Sequence, residues 1–174
     1  MIQVEVYTNA GMATGLYAGD DGIRHALEGG DPLVLHGVTA ETLADLAPTT
    51  LKVDSFAPDE ILVAVAHDLS LLPVHAAWHA LRLEAGPYVI EGELPTLPGF
   101  DPGRALTRPG GEFVLVRDLR LSLLGRPDGG VVTADHAFVN RYTVDRVAAD
   151  IMLGFFFPGA LIESTTSAGA AVPA

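Results

Sequence analysis

Residues 87–123 read PYVIEGELPTLPGFDPGRALTRPGGEFVLVRDLRLSL. From Tyr88 to Leu94 side chains alternate, with Tyr88, Ile90 and Leu94 on one face and Glu91 and Glu93 on the other. That period of two is the mark of a half-buried strand. Pro95, Pro98, Gly99, Pro102 and Gly103 then forbid regular structure through Arg108, because proline lacks an N–H and glycine favours turns. Glu112–Val116 and Leu119–Leu124 return to extended patterning, as two strands or one long strand bent at Arg117-Asp118. Strand, irregular excursion and strand together point to a mainly β fold.

The remaining chain repeats this grammar. Ile2–Thr8 alternates, Asn9-Ala10-Gly11 signals a turn, and Ala13–Ala18 is a second strand. A short turn of helix is predicted at Ile23–Leu27, and Leu33-Val34-Leu35 is a short apolar strand. Thr39–Leu46 predicts a short helix capped by Thr39 and ended by Pro48. Leu51–Phe56 alternates again, and Glu60–Ala66 is a β-branched apolar run suited to a buried strand. Ala76–Leu83 and Ala137–Tyr142 read as strands, whereas Val144–Leu153 has features of both helix and strand.

Composition bounds the function. The 174 residues carry a formal charge of −12, so phosphate backbones and anionic lipid surfaces are repelled, and neither nucleic acid nor a membrane is an expected partner. No cysteine is present, which excludes disulfides and thiol chemistry. The start, MIQVEVYTNAG, lacks the basic and apolar regions of a secretory signal, and no apolar run is long enough to span a bilayer. A cytoplasmic protein is the expectation.

An internal echo organises the chain. Gly29-Gly30-Asp31 before Leu33-Val34-Leu35 parallels Gly110-Gly111-Glu112 before Phe113-Val114-Leu115. The block from Val53 to Ile61 parallels the block from Val139 to Val147 without a gap. The expected organisation is therefore a first β-repeat at 1–67, a joint at 68–78, a second β-repeat at 79–154, and an aromatic run with a C-terminal tail at 155–174. The repeats are expected to be two small β-barrels or sheets packed together, with one or two short helices. His67–Pro73 is too rich in leucine to be a free linker, so the halves should pack on each other.

The second copy follows a recognisable order: Tyr88, Ile90 and Gly92, then Arg104 and Leu106, then Phe113, Asp118 and Leu121, then Val139-Asn140-Arg141. This order resembles small, uncharacterised bacterial β-domains of unknown function. The resemblance implies a compact, mainly β fold and carries no site residues. A second, partial likeness is to PilZ domains, which bind cyclic di-GMP. It rests on Arg104, Arg108, Ser122 and Gly125, two arginines being suited to clamp a phosphodiester. Arg120 stands where that pattern wants Asp or Asn. Arg104 and Arg108 are thus the candidate ligand-binding residues, beside the bland reading that they pair with Asp101 and Glu112.

Other chemistry is thin. His67, Asp68, His75 and His79 cluster in sequence, and on a helix His75 and His79 would share a face. On a strand they stand about 14 Å apart, too far for one ion, so no metal is expected. Asp20-Asp21, Asp59-Glu60 and Glu91/Glu93 read as turn or solvated-face carboxylates rather than an acid/base pair. No Gly-x-Ser-x-Gly and no phosphate-binding glycine loop is present, so neither a catalytic residue nor a cofactor is assigned.

Phe155-Phe156-Phe157 lie in the most apolar run of the chain. Alternate side chains of a strand point to opposite faces, so three aromatics in a row need cover on both. Either they seal the gap between the halves, or they form an interface with a second copy or a protein partner. The latter makes the chain a non-catalytic interaction, scaffold or regulatory module. The competing expectation is an anion- or nucleotide-sensing domain, or an enzyme, with a pocket near Arg104 and Arg108.

Overall fold

A computed structural model describes residues 1–45, 47–68, 72–96, 98, 111–126, 128–153 and 156–164. The first half contains β1 (Ile2–Tyr7), β2 (Gly11–Tyr17), the helix α1 (Ile23–Glu28), β3 (Leu33–Thr42), β4 (Thr49–Phe56), a 3-10 turn (Pro58–Glu60) and β5 (Val63–Ala66). The second contains β6 (Ala77–Ala85), β7 (Tyr88–Thr96), β8 (Phe113–Leu123), β9 (Val132–Asn140), β10 (Val144–Ala149) and β11 (Leu161–Ser164). The fold is mainly β, as the alternation predicts.

Where two packed barrels or sheets are the expectation, one continuous sheet is observed, in the order β11-β10-β6-β7-β8-β9-β5-β1-β2-β3-β4. The halves join through the antiparallel pair β5·β9, with Val63 opposite Val139 and Ala64 opposite Phe138. Two separate sheets would each present an unpaired edge here, and pairing them satisfies both rows of backbone groups. Strand order is the same in the two halves. β1 to β4 form an antiparallel meander and β5 returns beside β1. Likewise β6 to β9 form a meander and β10 returns beside β6.

The central strands are buried on both faces. Val63 and Val65 of β5 enter one core and Ala64 and Ala66 the other. That is why residues 62–66 read as an unbroken apolar run rather than an alternating one. Strands of the second half cover one face, where Leu83, Ile90 and Val147 pack with Tyr7 and Val65. On the other face α1 places Ile23 and Leu27 over Val6, Leu35, Phe113 and Phe138.

Three local expectations resolve differently from one another. Of the helix predicted at Thr39–Leu46, Thr39–Thr42 is instead the end of β3, where Thr39, Ala40 and Glu41 face Thr14, Ala13 and Met12, and Leu46 lies outside the described residues. A two-turn helix is weak alone, and two open strand partners outweigh it. Thr42 starts a turn rather than a helical turn: its Oγ1 accepts the Asp45 N–H at 3.0 Å and donates to the Asp45 carbonyl at 2.9 Å. β8 is one bent strand, with a register shift against β7 and Asp118 at φ 51°. Val144–Leu153, ambiguous by pattern, is strand to Ala149.

Candidate functional site

Arg104, Arg108 and Phe155 lie outside the described residues. Phe156 and Phe157 are 9% and 1% exposed and belong to the core that contains Leu83 and Val147. Both rings are buried within this chain. His75 is exposed ahead of β6, and the His79 Nε2 lies 2.9 Å from the Thr96 hydroxyl. Among the described residues no three His, Asp or Glu side chains are grouped to hold a metal ion. Glu93 and Glu91 are not simply solvated: the Arg117 Nε donates to Glu93 at 2.7 Å, and Arg120 stands 3.8 Å from Glu91.

Two features that sequence reasoning missed stand out. The first is the outer edge of β4, where the sheet of the described residues ends. Thr49 to Val53 are all exposed, and Val53 is 51% exposed. Register sets Leu16 of β2, His36 of β3 and Val53 of β4 in one row, with Val34 also exposed nearby. Lys52 and Asp54 flank Val53. The alternation at 51–56 shows a strand; nothing in it says that the strand has only one neighbour. At the other end of the sheet, β10 is covered by the short parallel strand β11.

The second feature is a cleft of about 230 Å³ between the halves. The first half supplies Tyr7, Met12 and Glu41, the second Tyr88, Leu123 and Val132. Met12 and Glu41 are opposed in the β2·β3 ladder, so both side chains leave the sheet on the same face. The phenols are engaged. Tyr7 donates to Glu5 at 2.8 Å, and Tyr88 donates to the Thr8 and Gly11 carbonyls, each at 2.9 Å. Burial pushes Tyr88 up to about 12, and burial followed by the hydrogen bond to Glu5 pushes Tyr7 higher still. Glu5 also reaches the His67 Nε2 at 3.0 Å, linking an exposed imidazole to a buried phenol.

Among the described residues, three buried nitrogens on two side chains have no hydrogen-bond partner. His136 Nε2 is one; its ring lines a small cavity with His67, Asp68 and Asp135, and burial lowers its pKa. Arg141, 3% exposed, carries the other two. Its Nη2 donates to the Tyr142 hydroxyl at 3.0 Å, while Nε and Nη1 have no hydrogen-bond partner among the described residues. Arg141 was visible in sequence only as the end of the Val139-Asn140-Arg141 segment. No family model, no curated protein and no solved structure matches this chain. No helix among the described residues is long and apolar enough to cross a membrane.

Proposed function

We propose that this chain is a non-catalytic interaction module, built from a duplicated five-strand unit, that pairs with a second copy of itself along β4. The exposed edge of β4 carries this reading. An eight-residue edge strand with apolar side chains and, among the described residues, no neighbour on its outer side is a template for strand addition. The fourth strand of the second half, β9, supports the comparison, because it does receive an antiparallel neighbour on the corresponding edge. Charge selects the register. Placing Val53 opposite the partner copy's Val53 sets Lys52 against Asp54 twice. A slip of two residues in either direction sets lysine against lysine or aspartate against aspartate. Such a contact buries little area, so the dimer is weak, with Kd in about the micromolar range or above.

Sedimentation equilibrium from about 1 μM to about 1 mM tests it. The wild-type chain should dimerise with rising concentration. Lys52→Glu and Asp54→Lys should each stay monomeric, and an equimolar mixture of the two should form heterodimers. A wild-type chain that is monomeric throughout refutes the reading.

A second reading, an anion-sensing module, is favoured by one observation: the buried Arg141 guanidinium with two nitrogens unpartnered among the described residues. A buried cation without a counter-charge is costly, and a bound anion would supply it. Phosphate and cyclic dinucleotides should then raise the melting temperature of the wild-type chain and leave Arg141→Met unchanged. Equal responses from the two chains would remove this reading.

A further inference from the structure

We propose that the cleft between the two halves binds a small primary amine with an apolar body. Its walls are apolar and aromatic, from Met12, Leu123, Val132 and the rings of Tyr7 and Tyr88. Both phenolic hydroxyls already donate within the chain, which leaves Glu41 to supply the cleft's free acceptor. One ionisable side chain besides the tyrosines lines the cleft, Glu41, and no described residue bonds its carboxylate. Neither Lys, Arg nor His is among the described lining residues.

An anion meets an unneutralised carboxylate here, and a neutral apolar molecule leaves that carboxylate partly desolvated and unpaired. An ammonium group satisfies it and gains a charge-assisted hydrogen bond. The chain's net charge of −12 adds a general attraction for cations. Size sets the class further. A cavity of about 230 Å³ holds the volume of about eight waters, which is the body of an arylalkyl- or short alkylamine rather than a nucleotide or a peptide.

Phenethylamine is the probe, with 2-phenylethanol as the neutral isostere and phenylacetate as the anion. Isothermal titration calorimetry should show phenethylamine binding one per chain, about tenfold or more tighter than the alcohol, with no binding of the acid. Glu41→Gln should reduce the amine to the level of the alcohol while leaving the ligand-free melting temperature unchanged. Because Met12 lines the cleft and Met1 and Met152 do not, methyl-labelled methionine spectra should shift for Met12 alone. Equal binding of amine and alcohol, an undiminished Glu41→Gln, an unmoved Met12 signal or no binding at about 10 mM would each overturn the proposal. The site lies within one chain, so the same titration on Lys52→Glu should be unchanged. Its failure and the failure of β4 pairing are thus separate results.

Discussion

The ring of Tyr88 meets the ring of Tyr7 edge-on, with centroids 5.6 Å apart and planes at 83°. This pair, one ring from each half, ties β1 to β7 across the cleft. The Tyr88 hydroxyl then continues to the carbonyls of Thr8 and Gly11 in the β1–β2 turn. Each of those carbonyls keeps another donor, since the Gly11 N–H reaches Thr8 and the Thr8 N–H reaches Gly11. Tyr88→Phe therefore removes a hydrogen bond without stranding an acceptor. We expect a loss of about 1–1.5 kcal/mol in urea unfolding, with the slope of the transition unchanged.

The same phenols set an alkaline limit. Tyr88 is raised from 10.0 to about 12 in the folded chain, and Tyr7 is raised as well. A raised folded pKa means that the native state holds its proton more tightly than the unfolded one. The contribution is complete below pH 10 and is lost as pH climbs from 10 toward 12. Melting temperature should fall steeply across that window. Tyr7→Phe with Tyr88→Phe should flatten the fall, and near-ultraviolet absorbance should show these two phenolates forming only as the chain unfolds.

His136 sets an opposite, acid limit. Burial lowers its pKa, opposed by Asp135 and Asp68 and reinforced by His67, while Arg117 sits opposite it on β8. A lowered folded pKa favours the neutral ring in the native state. This stability is present above about pH 6.5 and is lost as pH falls below it, because the unfolded chain then binds the extra proton. Melting curves from pH 8 to pH 5 should decline for the wild type and decline less for His136→Gln.

Glu28, at the end of α1, accepts the N–H groups of Glu112 at 2.8 Å and Phe113 at 3.1 Å. One carboxylate thereby fixes the start of β8. Glu28→Ala should cost about 1–3 kcal/mol and accelerate amide exchange at Phe113, whereas Glu28→Gln, which keeps one acceptor oxygen, should cost less.

Phe157 is a core residue, so its truncation should act on stability and not on association. Phe157→Ala is expected to cost about 3–5 kcal/mol, with the sedimentation mass of the folded chain unaltered. A change of mass without loss of stability would instead place the ring at an interface.

Much of the fold is legible in particular residues. Alternation at Ile2–Thr8 and Tyr88–Leu94 marks β1 and β7 because one face of each is buried. Continuous apolar character at 62–66 marks a strand buried twice. The helix expected at Thr39–Leu46 fails because helical propensity over so few residues is smaller than the pairing available from β2 and β4. The candidate sites were less legible. Glu41 and Tyr88 come from distant segments, and neither segment carries a motif that announces the cleft.

By itself the sequence determined that the chain is β-rich and where most of its strands and turns lie. Those properties follow from local alternation, glycine and proline, which act over a few residues. Only the tertiary structure decided that β5 pairs with β9, that β4 is left at the edge, that Phe156 and Phe157 are consumed by the core, and that Tyr7, Tyr88 and Glu41 share a cleft. Strand pairing joins residues far apart in the chain. A side-chain pattern specifies which face of a strand is buried, while its neighbour is settled by how all the edges and both cores can be satisfied together.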